Sequence, residues 1–136
     1  MKRDIDIMRD ILFQVENATI GDIDQSPWKE FSLPEISSLV VKYHVRLLLE
    51  RDYFFSEAII LDGQDHAGCP VAKFRPDALN DAGHEFLESI RDPDVWQKTK
   101  EGANRIGSFG IDLIKNLAKG YLKTKIKNLT GVEIDD

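Results

Sequence analysis

The sequence predicts an α+β fold with a helical tail. Three observations carry that prediction. Apolar residues recur at helical spacing near both ends of the chain. Residues 53–61 change to an aromatic and β-branched composition that suits a strand. A turn-rich run, Asp62-Gly63-Gln64-Asp65-His66-Ala67-Gly68-Cys69-Pro70, then separates that stretch from a second strand-like one at 71–79. The 136 residues amount to one ordinary domain. With 42% hydrophobic and 31% charged residues, the composition is that of a globular protein and argues against disorder.

In chain order, Ile5, Met8, Leu12 and Val15 fall at i, i+3, i+7 and i+10, with Ile7 and Ile11 widening the stripe. Asp4 is placed to cap that helix. Residues 17–29 read as a loop with a short strand approaching Phe31. A second helix is expected over 32–52, with Ser32 and Glu35 as a capping box and Pro34 in the first turn. Its inward residues would be Ile36, Val40, Val41, Val45, Leu48 and Leu49; its outward side would carry Lys42, Arg46 and Glu50. Residues 53–61 and 71–79 then form a β-hairpin with a long tip, Pro76 demoting part of the return to an edge.

Asn80 or Asp81 caps a third helix, with Phe86, Leu87 and Ile90 facing a core. Asp92 and Pro93 open a short further segment anchored by Val95 and Trp96. Gly102, Gly107 and Gly110 interrupt the pattern. The last helix runs over 111–129. Its apolar face is Ile111, Ile114, Leu117, Tyr121, Leu122, Ile126 and Leu129, with Ala118 inside the stripe. Gly120 lies mid-helix, at a cost of about 1 kcal/mol relative to alanine. The expected division is 1–101 as the main domain and 102–136 as a C-terminal helical extension, packed on that domain or on a second subunit.

Charge is uneven. Eighteen basic and twenty-four acidic residues give a net charge of −6. Residues 1–97 hold ten basic and nineteen acidic side chains, whereas 98–136 hold eight and five. That excludes a generic nucleic-acid coat but not a local basic face. Cys69 is the single cysteine, so no internal disulfide forms and a reducing, cytoplasmic compartment is expected. The apolar runs are too short for a membrane span, and Met1-Lys2-Arg3-Asp4 does not open a signal peptide.

Helix, loop or short strand, helix, hairpin, helix is the order of a winged-helix domain. There is little room before residue 32 for a separate helix, so the first half of the helix-turn-helix reduces to a strand-like loop or an irregular turn. Val41-Lys42-Tyr43-His44-Val45-Arg46-Leu47-Leu48 resembles the recognition-helix segment of small bacterial winged-helix repressors. In those a glycine follows; here Asp52 stands at that position, and aspartate tolerates a left-handed cap. Leu79-Asn80-Asp81-Ala82-Gly83-His84-Glu85-Phe86-Leu87 resembles the end of their wing.

A wider similarity runs to about Ile126. Met1-Lys2-Arg3-Asp4-Ile5-Asp6-Ile7, Tyr43-His44-Val45, Gly83-His84-Glu85-Phe86-Leu87-Glu88-Ser89-Ile90-Arg91-Asp92 and Val95-Trp96 resemble the Domain of Unknown Function 2513 family. The resemblance implies a winged-helix-like fold and a bacterial or prophage setting. It implies no particular activity, because none is established for that family.

Lys42, Tyr43 and Arg46 on the second helix, with Lys73 and Arg75 on the wing, are the candidate nucleic-acid contacts: arginine reads guanine, and lysine neutralises phosphate. A solvated helix face would carry the same charges. Lys115, Lys119, Lys123 and Lys127 recur every fourth residue as a basic ridge, suited to phosphate, an acidic protein partner or an anionic membrane surface, or simply a solvated face complementary to the acidic body. Ile114, Leu117, Tyr121 and Leu122 form a packing or homodimer face. His44 and His84 read as packed histidines. Asp62, Asp65, His66 and Cys69 have metal-ligand chemistry, but structural zinc sites show paired ligands at short spacing, and turn formation explains this loop. No metal or cofactor is expected, and no nucleophile elbow, phosphate loop or HExxH pair marks an enzyme. The leading expectation is a small winged-helix regulator that binds double-stranded DNA, with no membrane partner. The alternative is a protein-interaction module on the same scaffold.

Overall fold

The computed structural model describes residues 1–19 and 26–133. Among the described residues, five α-helices and a three-stranded antiparallel sheet fall into two compact units, Met1–His84 and Glu85–Asp136.

In the first unit, α1 (Ile5–Asn17) starts at Asp4, whose carboxylate accepts the Asp6 and Ile7 amides at 2.9 and 3.3 Å. Ile5, Met8, Ile11, Leu12 and Val15 are buried, as the spacing predicts. The loop expected over 17–29 falls partly on 20–25, outside the described residues. The short strand is present as β1 (Lys29–Glu30). It pairs with β3 (Pro70–Phe74), which pairs with β2 (Ile59–Gln64), giving the order β1-β3-β2. The Phe31 ring centre lies 4.4 Å from that of Phe74 and 6.2 Å from that of Phe54, in tilted pairs that form the aromatic centre of this unit.

The second helix begins later than the sequence suggests. α2 spans Ser38–Glu50, and its cap is Ser37, not Ser32. The Gln14 side-chain amide occupies both backbone groups of Ser32, donating to its carbonyl at 3.0 Å and accepting its N–H at 3.3 Å. The chain then turns over Leu33-Pro34-Glu35-Ile36, closed by the Ile36 N–H on the Leu33 carbonyl at 3.2 Å. Glu35 has φ +64°, which a type II turn demands at its third position and a right-handed helix forbids. At the far end Asp52 is left-handed (φ +58°), as the sequence predicts. Its N–H bonds the Leu49 carbonyl and the Tyr53 N–H bonds that of Leu48, which is a Schellman closure with aspartate in the glycine seat.

The first hairpin strand is displaced relative to expectation. Tyr53 and Phe54 are buried, but Phe54 makes only an isolated bridge to Leu79, and a 3-10 turn (Ser56–Ala58) precedes β2. The aromatic residues there fill the core rather than extend a ladder. β2 instead runs through Asp62, Gly63 and Gln64, which the turn-rich composition assigns to the tip. Gly63 permits this, because a β-carbon there would lie 2.9 Å from the Val71 carbonyl oxygen.

α3 (Asp81–Ile90) leads from the first unit into the second. Of the two cap candidates, Asn80 accepts the Gly83 amide at 2.8 Å. α4 (Pro93–Ile106) is capped by Asp92 and ends at left-handed Gly107. It is a full helix running through Gly102, not the short segment expected. Gly102 makes room for the neighbouring helix, since a β-carbon would meet the Tyr121 hydroxyl at 2.7 Å unless that ring swings aside. α5 (Ile111–Thr130) matches the predicted last helix and is continuous through Gly120. Ile111, Ile114 and Ala118 are buried, Leu117, Tyr121, Leu122 and Ile126 are half-buried, and Leu129 is exposed.

Candidate nucleic-acid interface

α2 is held from one side by α1 and from the other by the sheet. His44 is fully buried and fixes its rotation. The Asp4 amide can only donate, so Nε2 accepts it at 2.8 Å and Nδ1–H donates to the Val40 carbonyl, also at 2.8 Å. Both ring nitrogens are used, leaving neither for a metal or substrate, as the packed reading expects. His84 differs from that reading: it is exposed on α3.

With Val41, His44, Val45 and Leu48 inward, α2 turns Leu39, Arg46 and Glu50 to solvent. Leu39 was not singled out by the sequence, yet it is 56% exposed on the same side. Tyr43 is half-buried and meets the edge of His44 at 5.4 Å. The Lys42 side chain is only 19% exposed, and its ammonium bonds the Asp62 carboxylate at 2.9 Å. A β-bulge makes that pair. Ile60 faces Lys73 and Gly63 faces Val71, so Leu61 and Asp62 together oppose Ala72 alone, and the strand locally re-aims its side chains. The Lys42 hydrogen bond, with the nearby Arg46 charge, holds the Asp62 carboxyl below the usual carboxylate range.

The wing candidates have acidic company too. Lys73 stands opposite Glu30 in the β1–β3 register, and its stem covers Gly63. Arg75 bonds Asp77 at 3.1 Å and lies 5.8 Å from the Trp28 ring centre. The structure therefore brings Lys42, Arg46 and Asp62 together, and gives Lys73 and Arg75 acidic neighbours of their own.

At the hairpin tip, the Asp65 carboxylate accepts the Cys69 and Ala67 amides at 2.9 and 2.8 Å; the Cys69 bond above all, then that of Ala67, holds it below its ordinary range. Gly68 takes the left-handed turn position at φ +81°. This turn accounts for the loop's Asp and Gly. Among the described residues no three His, Cys, Asp or Glu side chains gather as a metal site.

On α5, Lys119 and Lys127 are exposed while Lys115 and Lys123 are half-buried. Lys127 pairs with Glu133 at 2.7 Å. Lys125, beside the ridge, bonds Asp92 at 2.6 Å and Asp94 at 3.2 Å, tying α5 to the start of α4. Among the described residues no helix is long and apolar enough to cross a membrane.

The family model described as "Hypothetical protein (DUF2513)" matches residues 2–109. The chain belongs to that family. This Domain of Unknown Function 2513 protein is also 28% identical over 133 residues to an uncharacterized protein of Haemophilus influenzae, covering 95% of this chain and 98% of the relative. No solved structure matches it.

Proposed function

We propose that this chain is a winged-helix DNA-binding protein, a small transcription regulator of bacterial or phage origin, with α2 as its recognition helix and the β2–β3 hairpin as its wing. The observation that carries the reading is the strand order β1-β3-β2 with α2 entering just ahead of the hairpin. In this reading the hairpin packed against α2 serves as the wing, and Arg46 is exposed on the helix. The helix that normally precedes a recognition helix is replaced by the Pro34–Glu35 turn, so docking would depend on α2 and the wing alone. The test is selection from a random duplex pool followed by sequencing. A discrete enriched motif is expected, together with loss of binding in Arg46→Glu at unchanged thermal stability. Recovery of no motif, or equal binding by Arg46→Glu, would refute it.

A second reading has its own support. The pairing of Lys42 with Asp62 and of Arg75 with Asp77 spends cations that phosphate would need. Residues 1–84 hold nine basic and fifteen acidic side chains, and Leu39 is exposed beside Arg46. These features favour a protein-interaction module on the same scaffold. A pull-down with and without nuclease separates the two readings. A partner retained after nuclease, with no enriched DNA, selects the adaptor.

A further inference from the structure

We infer that Asp62 is a built-in competitor of DNA phosphate: its carboxylate occupies the Lys42 ammonium in the free protein, and a duplex must displace it to use that lysine. The inference rests on the DNA-binding reading and goes beyond it by naming the residue that sets affinity on this face.

The two side chains stand in unlike situations. Lys42 is mostly covered, at 19% exposure, so its stem is fixed against the molecule and its ammonium has little choice of direction. Asp62 is 90% exposed and reaches that ammonium at 2.9 Å. No burial holds the carboxylate in place. What aims it is the extra residue of the β2 bulge, which a regular ladder would lack.

Bulges persist where they re-aim a side chain, and this one delivers an anion to a largely covered cation of the candidate interface. The same carboxylate also lies within the field of Arg46. With both cations favouring its charged form, it stays ionised at neutral pH.

An exposed ion pair is a weak lock. Such pairs contribute about 1 kcal/mol or less, and salt screens them. A polyanion that offers several phosphates at once can displace the carboxylate. The pair would thus lower affinity for any duplex rather than abolish it. It would also remove one phosphate from the count of released counterions.

Four proteins test this by fluorescence anisotropy with a labelled pool of random-sequence duplex DNA at several salt concentrations: wild type, Asp62→Asn, Lys42→Gln and the double variant. Asp62→Asn should bind about three- to tenfold tighter at low salt, and its salt slope should steepen by about one phosphate equivalent. Lys42→Gln alone should change little, and in the double variant the gain should vanish. Asp62 is exposed, so the fold is not at risk, and circular dichroism of all four proteins checks this.

If wild type binds and Asp62→Asn binds no tighter, the inference is overturned while the DNA-binding reading stands. A gain that survives in the double variant also overturns it, because net charge and not the Lys42 contact would be responsible. Failure of all four proteins to bind duplex would overturn both.

Discussion

At residue scale, several positions are set by backbone geometry rather than side-chain chemistry. Gly83 is the sharpest case. A β-carbon there would lie 2.2 Å from the Tyr53 carbonyl oxygen and 2.5 Å from a Leu79 methyl. Gly83→Ala should therefore cost about 3 kcal/mol in urea unfolding despite alanine's better helix propensity. Gly68→Ala, at positive φ but in open space, should cost only about 1 kcal/mol. Equal losses would contradict the close approach. The left-handed seat at Asp52 predicts the opposite sign: Asp52→Gly should raise stability by about 0.5–1 kcal/mol. The sequence announces Asp52 by its place at the end of an apolar stripe. It gives no such warning for Glu35, because nothing local separates a capping box from a proline turn. The deciding groups are the Ser32 backbone atoms taken by Gln14, eighteen residues earlier in the chain.

At the scale of elements, the long periodic helices α1 and α5 were legible because their apolar spacing repeats over several turns. The strands were legible only in part: the short strand before Phe31 and the hairpin are there, with shifted bounds. Tyr53, Phe54 and Phe55 look like a ladder, but the buried Tyr53 and Phe54 serve the core, only an isolated bridge forms at Phe54, and continuous pairing starts at Ile59. The α4–α5 pair offers two tests. Gly102→Ala should destabilise by about 1–2 kcal/mol through the Tyr121 hydroxyl, and adding Tyr121→Phe should recover part of the loss. Recovery of nothing would mean the helices meet elsewhere. The second test is pH.

The Asp92 carboxyl is held low first by the Lys125 hydrogen bond, then by the Val95 amide, and Lys125 is raised chiefly by Asp92. The carboxylate's contribution is present above the ordinary value of 3.8 and is lost as pH falls through its depressed folded value. The lysine's contribution is present below 10.5 and is lost as pH rises through its raised value. Lys125→Met should flatten both limbs of the stability profile. An unchanged acid limb would show that the contact contributes nothing in solution.

At the scale of the molecule, the candidate site was half legible. Residue types and order pointed to α2 and the wing, and the structure places Lys42 and Arg46 by the same carboxylate. What the sequence could not give is that carboxylate's place against Lys42, since Asp62 reads as a turn residue until the bulge is seen. The DNA-binding reading predicts that Arg46→Gln weakens duplex binding by about tenfold at low salt, with loss of about one unit of salt slope. An unchanged slope would remove Arg46 from the interface.

A different consequence follows from how the hairpin is tied at its base. Asn80 donates from its side chain to the Asp52 carbonyl at 2.5 Å and from its backbone to that of Tyr53 at 3.2 Å. The Phe55 amide bonds Ala78, and Phe54 bridges Leu79. The segment between Asp52 and Asn80 is thus a cassette with both ends locked, closed independently of its tip. Lengthening such a closed loop costs little, about 0.6 kcal/mol per doubling. An epitope or fluorophore graft after Ala67 should leave the rest of the chain undisturbed, which makes the β2–β3 hairpin the natural place to attach a reporter or exchange sequence between relatives.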